Sequence, residues 1–113
     1  MQDQRRAYVT LEGELDLFRE GEIAAALPHA ESIDNAVINL SRATYIDSLV
    51  LGMLVGFRRR FVGAGGDPRN LALILPAVGT VRRTFELTGL TRLFATAYIE
   101  KGAIDADGAG VPS

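Results

Sequence analysis

Cysteine is absent from the 113-residue chain. That excludes a disulfide framework, a thiolate zinc site and a cysteine nucleophile, and it fits a reducing, cytoplasmic setting. Histidine is nearly absent. The single imidazole, His29, follows Pro28 in a turn, so a histidine-based triad would rest on that residue alone, and a solvated loop residue is the simpler account. There is no basic surplus either: 12 Lys and Arg stand against 14 Asp and Glu, a formal net charge of -2. Nucleic-acid binders usually carry the opposite balance, so DNA and RNA are not expected partners. Apolar runs stop well short of the roughly 18 residues of a membrane span. The opening MQDQRR is polar and lacks the apolar stretch of a signal peptide, so no membrane insertion is expected.

Familiar catalytic constellations fail for similar reasons. The loop GAGG at positions 63 to 66 lacks the Gly-Lys-Ser/Thr ending of a phosphate-binding loop and follows a helical pattern instead of preceding one. Glu14 and Asp16 stand two apart and would face one another only through a turn, so spacing does not make them a carboxylate pair. Arg58, Arg59 and Arg60 spread around a helix at about 100° per residue and form no single basic stripe. No catalytic residue, metal site or cofactor is expected, and the chain is read as a non-enzyme.

With 48% hydrophobic residues, the chain can build one domain and its core without staples. Tyr8 to Glu12 alternates as a half-buried strand, with Val9 and Leu11 inward. Phe18 to Leu27 predicts a short helix with Ile23, Ala24 and Leu27 on one face, stopped by Pro28. Ala36 to Leu40 and Leu71 to Leu75 are continuous apolar runs, expected to be neighbouring parallel strands covered on both faces. Between them, after the N-cap candidates Asp47 and Ser48, Val50, Leu54, Phe57 and Phe61 recur at helical spacing. A third helix places Val78, Val81 and Phe85 together and ends at Gly89, where a left-handed cap is common. Ala95 to Glu100 alternates as a last strand, and residues 101–113 have too little apolar content to pack. The expected fold is α/β: a single small domain over residues 8–100, behind a polar segment 1–7, with a mostly parallel sheet of about four strands and helices.

One feature of the central helix asks for a reason. Gly52 and Gly56 fall opposite its core face, and glycine inside a helix costs about 1 kcal/mol relative to alanine. Close approach of another backbone is one reason, whether from this molecule or from a partner. Leu49 and Met53 flank the glycines, as a partner-facing apolar patch or as the rim of the core.

Four stretches resemble the STAS domain of anti-sigma factor antagonists: VTLEGELD at 9 to 16, VINLSRATYIDS at 37 to 48, LG at 51 and 52, and VRRTFELTGLTRLF at 81 to 94. The resemblance implies that Ser48, directly after Asp47, is phosphorylated by a partner anti-sigma factor that is also a GHKL-type serine protein kinase, with a serine phosphatase opposing it. It implies that the GELD loop (Gly13, Glu14, Asp16) joins the partner interface beside Asp47 and Ser48; with the helix-face patch of Leu49, Gly52, Met53 and Gly56, these are the expected partner-binding residues. Release of a sigma factor would follow binding, and the chain would be a monomer or weak homodimer. The sequence departs from this pattern after Ser48, where Leu49 and Val50 replace the usual hydroxyl residue and glycine. That departure resembles structural STAS subunits of stress-signalling or lipid-transport complexes. The strand that usually precedes the one ending in GELD has only MQDQRRA to form it, leaving a sheet edge open to pairing.

Overall fold

In the computed structural model, which describes residues 5–99, alternation in the first apolar stretch makes strand β1 (Arg6–Thr10), with Val9 inward and Tyr8 outward. Three further strands, β3 (Asn35–Asn39), β5 (Leu71–Pro76) and β6 (Ala95–Ile99), join it in the order β1-β3-β5-β6, all pairs parallel. Each strand-to-strand step carries a helix: α1 (Glu20–Ala26), α2 (Ser48–Gly63) and α3 (Thr80–Thr88). The α/β fold, the parallel sheet of four strands and the neighbouring placement of the two apolar strands are as the patterns predict.

Ile38, Leu71, Leu73 and Leu75 meet Val50, Leu54, Phe57 and Phe61 of α2 and Phe85 of α3 in one core, all fully buried. Burying a side chain of this kind stabilises by about 1.5–3 kcal/mol. Four on α2 therefore outweigh the cost of Gly52 and Gly56, about 1 kcal/mol each, several times over. Helix α3 ends as expected, with Gly89 left-handed at φ 76° and its N–H donating to the carbonyls of Phe85 and Glu86.

Other expectations need correction. β3 and β5 are only partly covered on their second face: Ala36, Ile38, Leu71 and Leu73 are buried inward, whereas on the opposite face Asn39 and Ile74 are buried but Val37 and Ala72 only half-buried. Tyr8 there is 62% exposed. That face is a shallow apolar concavity of about 240 Å³ lined by Tyr8, Val37, Ala72, Ile74, Ala95 and Ala97 among others. Apolar continuity misled because alanine has little area to withdraw from water, so a run containing it does not require a second layer. Val78 is not on the core face of α3. It precedes the helix and is exposed, because Gly79 at φ 105° breaks the helical path between it and Val81. Ala24 of α1 is likewise exposed, while Ile23 is buried and Leu27 packs against the core. β1 begins at Arg6, two residues ahead of expectation, and the expectations for residues 1–4 and 100–113 lie outside the described residues.

The GELD segment is a strand, not a loop. Gly13–Leu15 forms β2, which pairs in parallel with β4 (Ala43–Ile46) as a separate two-stranded sheet, with an irregularity between Gly13 and Glu14. Three residues of period-2 pattern are too few to distinguish from a turn. What holds them is tertiary: Leu15 is fully buried and the Gly13 N–H donates to the carbonyl of Arg42.

Candidate partner-binding site

The start of α2 is fixed by Asp47. Its Oδ1 accepts from the Val50 N–H at 3.0 Å, so Asp47 is the N-cap and Ser48 the first residue inside the helix. Such a cap contributes about 1 kcal/mol and leaves the Ser48 hydroxyl outside the capping bond. Ser48 is exposed and Leu49 beside it is 40% exposed. Of the two cap candidates in the sequence, the longer acceptor has taken the position.

Asp47 also ties the helix to the GELD segment. Its Oδ2 accepts from the Leu17 N–H at 2.9 Å, and its own N–H donates to the Leu15 carbonyl at 3.1 Å. Asp16 caps the single 3-10 turn Leu17–Arg19 by accepting from the Phe18 N–H. The carboxylates of Asp16 and Asp47 are therefore both engaged with the backbone of the same turn. Glu14, exposed on β2, stands opposite Tyr45 of β4, itself 48% exposed.

Arg19 reaches back across this turn. One of its terminal nitrogens donates to the carbonyls of Glu12 and Glu14, at 2.6 and 2.9 Å, on either side of Gly13. The rest of the guanidinium forms a two-point pair with Glu22, at 3.0 and 2.8 Å. That hydrogen bonding, and then the charge of Arg19, holds the Glu22 carboxyl below the usual glutamate range. Gly13 is left-handed, at φ 78°, where a side chain would be strained.

Gly52, Met53 and Gly56 do not join this cluster. They lie along α2, with Gly56 about 12 Å from Ser48 at the helical rise. There they line a groove of about 500 Å³ against Leu27 to Glu31 and Arg60. Nothing stands within 4 Å of where a Gly52 Cβ would be, and a Gly56 Cβ would meet only a terminal nitrogen of Arg60 at 3.5 Å. Close packing within the described residues therefore does not account for either glycine. The sequence-based surface divides into two patches on one helix: its capped start with β2, and a groove along its outer side.

Sequence reasoning passed over Leu17, Phe18 and Arg19. Leu17 is 55% and Phe18 88% exposed, directly after GELD, their N–H groups donating to Asp47 and Asp16 respectively. The available signal was their place in the pattern, since neither belongs to the Ile23 and Leu27 face. Among the described residues no group of three or more His, Asp or Glu is placed to hold a metal ion, and no helix is long and apolar enough to cross a membrane.

The domain is a small parallel α/β fold with a two-stranded annex, in which Ser48, exposed at a helix start, is framed by the backbone-bonded carboxylates of Asp16 and Asp47. Residues 2–103 match the model of the STAS domain, and the chain belongs to that family. STAS domains occur in anti-sigma factor antagonists and related proteins and commonly mediate protein–protein interactions.

Proposed function

We propose that the chain is a non-enzymatic, cytoplasmic anti-sigma factor antagonist that binds an anti-sigma factor of the GHKL serine-kinase type through β2 and the start of α2, and that phosphorylation of Ser48 ends the binding. The observation that carries this reading is the division of labour at the helix start: Asp47 makes the cap and Ser48 is left exposed beside it. A phosphate there adds roughly -1.5 to -2 charges beside Asp47. The helix N-terminus accommodates part of that charge in the free protein. A partner surface matched to the neutral site would have to desolvate it, and each 1.4 kcal/mol of penalty is a factor of ten in affinity. A serine phosphatase restores binding in this scheme.

The test is a pull-down from native extract with Ser48→Ala and Ser48→Asp, followed by titration of the recovered kinase. Ser48→Ala is expected to retain the kinase and Ser48→Asp to lose at least about tenfold in affinity, while both melt within a few degrees of the unmodified chain. Mass spectrometry after incubation with that kinase and ATP is expected to place one phosphate on Ser48. Equal recovery by both variants of a large homologous assembly, or of a permease, would replace this reading with that of a structural STAS subunit. The exposed Leu49 would suit such a subunit as a permanent apolar contact.

A further inference from the structure

We infer that the turn Leu17–Arg19 is a preorganised anchor, and that Phe18 is the residue it presents to an apolar cleft with a basic rim on the protein partner. The inference rests on the proposed function for the identity of that partner and adds residues that function does not use. Phe18, 88% exposed, adjoins Leu17, 55% exposed, so the turn carries two large apolar side chains side by side at the surface, where contiguous apolar area marks interaction sites. The backbone that carries them is held still. The Phe18 N–H is bound by Asp16, the Leu17 N–H by Asp47 and the Arg19 N–H by the Asp16 carbonyl. The Arg19 side chain then clasps the carbonyls of Glu12 and Glu14 and is fixed in turn by Glu22.

Binding hot spots are enriched in aromatic and arginine side chains, and a turn whose backbone is pinned at this many points leaves only the rotamer of the ring to be ordered on binding. Charge gives the partner's chemistry. Glu12, Glu14, Glu20 and Glu22 are exposed around the turn; of the two cations there, Arg19 is engaged with Glu22 and two carbonyls, and Arg42, exposed on the Glu12 and Gly13 side, leaves the acidic residues in excess. An acidic fringe around an apolar tip fits a cleft rimmed by Lys or Arg and repels an anionic lipid surface. Because Leu17 hangs on the carboxylate next to Ser48, the anchor is continuous with the modification site.

The experiment titrates the purified kinase, recovered with Ser48→Ala, against the unmodified full chain and the Ser48→Asp, Phe18→Ala and Phe18→Leu variants. Thermal melting of each variant and flotation with vesicles containing anionic lipid accompany the titration. Phe18→Ala is expected to weaken binding at least tenfold with no change in melting beyond about 2 °C, and Phe18→Leu to restore most of the loss. Unchanged affinity in Phe18→Ala while Ser48→Asp still abolishes binding overturns the anchor and leaves the proposed function standing. An unmodified chain that fails to bind the kinase overturns both. Vesicle binding that disappears in Phe18→Ala overturns the protein cleft in favour of a lipid surface.

Discussion

Along the side of α2 that meets the sheet, Val50, Leu54, Phe57 and Phe61 are fully buried; along the opposite side, Gly52 stands in open space and Gly56 meets only the tip of Arg60. The first side is filled with bulk and the second is cleared of it. A sequence under selection for stability alone would place alanine or a larger residue on the second, since each glycine there costs about 1 kcal/mol. In the proposed function, stability and recognition fall to different sides of one helix, and substitutions on them are expected to have separable effects.

The largest effect is expected inside. Phe57→Ala removes a fully buried ring and leaves a cavity, costing about 3–5 kcal/mol in denaturant unfolding. A loss below about 1 kcal/mol would mean that the inner side does not carry the fold. A comparison of glycines is sharper. At Gly66 an added Cβ would stand 2.6 Å from the Phe61 ring and 2.7 Å from the Phe61 carbonyl oxygen. Gly66→Ala is therefore expected to destabilise by about 1–3 kcal/mol through overpacking. Gly52→Ala is expected to stabilise by up to about 1 kcal/mol, and Gly52→Leu to stay folded while weakening the partner's approach. Destabilisation by Gly52→Leu as large as that by Gly66→Ala would erase the contrast.

The smallest effect is pH-dependent and lies outside α2, in two exposed ion pairs. Arg19 depresses the Glu22 carboxyl chiefly by hydrogen bonding, and Arg69 does the same to Asp67. A depressed folded-state pKa adds stability that is present above the ordinary carboxylate range and is lost as pH falls through the depressed value. Both pairs are exposed, so salt weakens them and the contribution is small. Melting followed into acid is expected to show a shallow decline that Glu22→Gln flattens in part. A steeper decline in Glu22→Gln would show that the clasp does not stabilise the turn.

Sequence patterns anticipated Val50, Leu54, Phe57 and Phe61 on the inner side of α2, though not the buried Leu51 beside them, because a 16-residue helix repeats its period often enough to be read. The Gly89 cap was equally readable, because glycine meets the left-handed requirement without strain. β2 and β4 were not, since strands of 3 and 4 residues owe their conformation to the pairing of Gly13 with Ala43 and Glu14 with Tyr45. The site was half legible. Motif order marked Asp47 and Ser48, but which of them caps the helix is a matter of side-chain length and geometry. Phe18 carried no periodic signal, because its significance lies in being held away from the core by hydrogen bonds to residues 2 and 30 positions away, the second through its neighbour Leu17.

Asp47 places a constraint on the alphabet at its position. One carboxylate oxygen receives a helix N–H and the other receives the N–H of Leu17, so two segments depend on two acceptors carried by one short stem. Asparagine offers a single acceptor oxygen and turns a donor toward whichever N–H remains. Serine and threonine have one oxygen, and glutamate, with both, adds a methylene and is not among the preferred caps. Asparagine, serine and threonine have to choose between starting the helix and holding the turn, and glutamate carries both acceptors on a longer stem, so a residue outside the core is held to its identity by two segments at once.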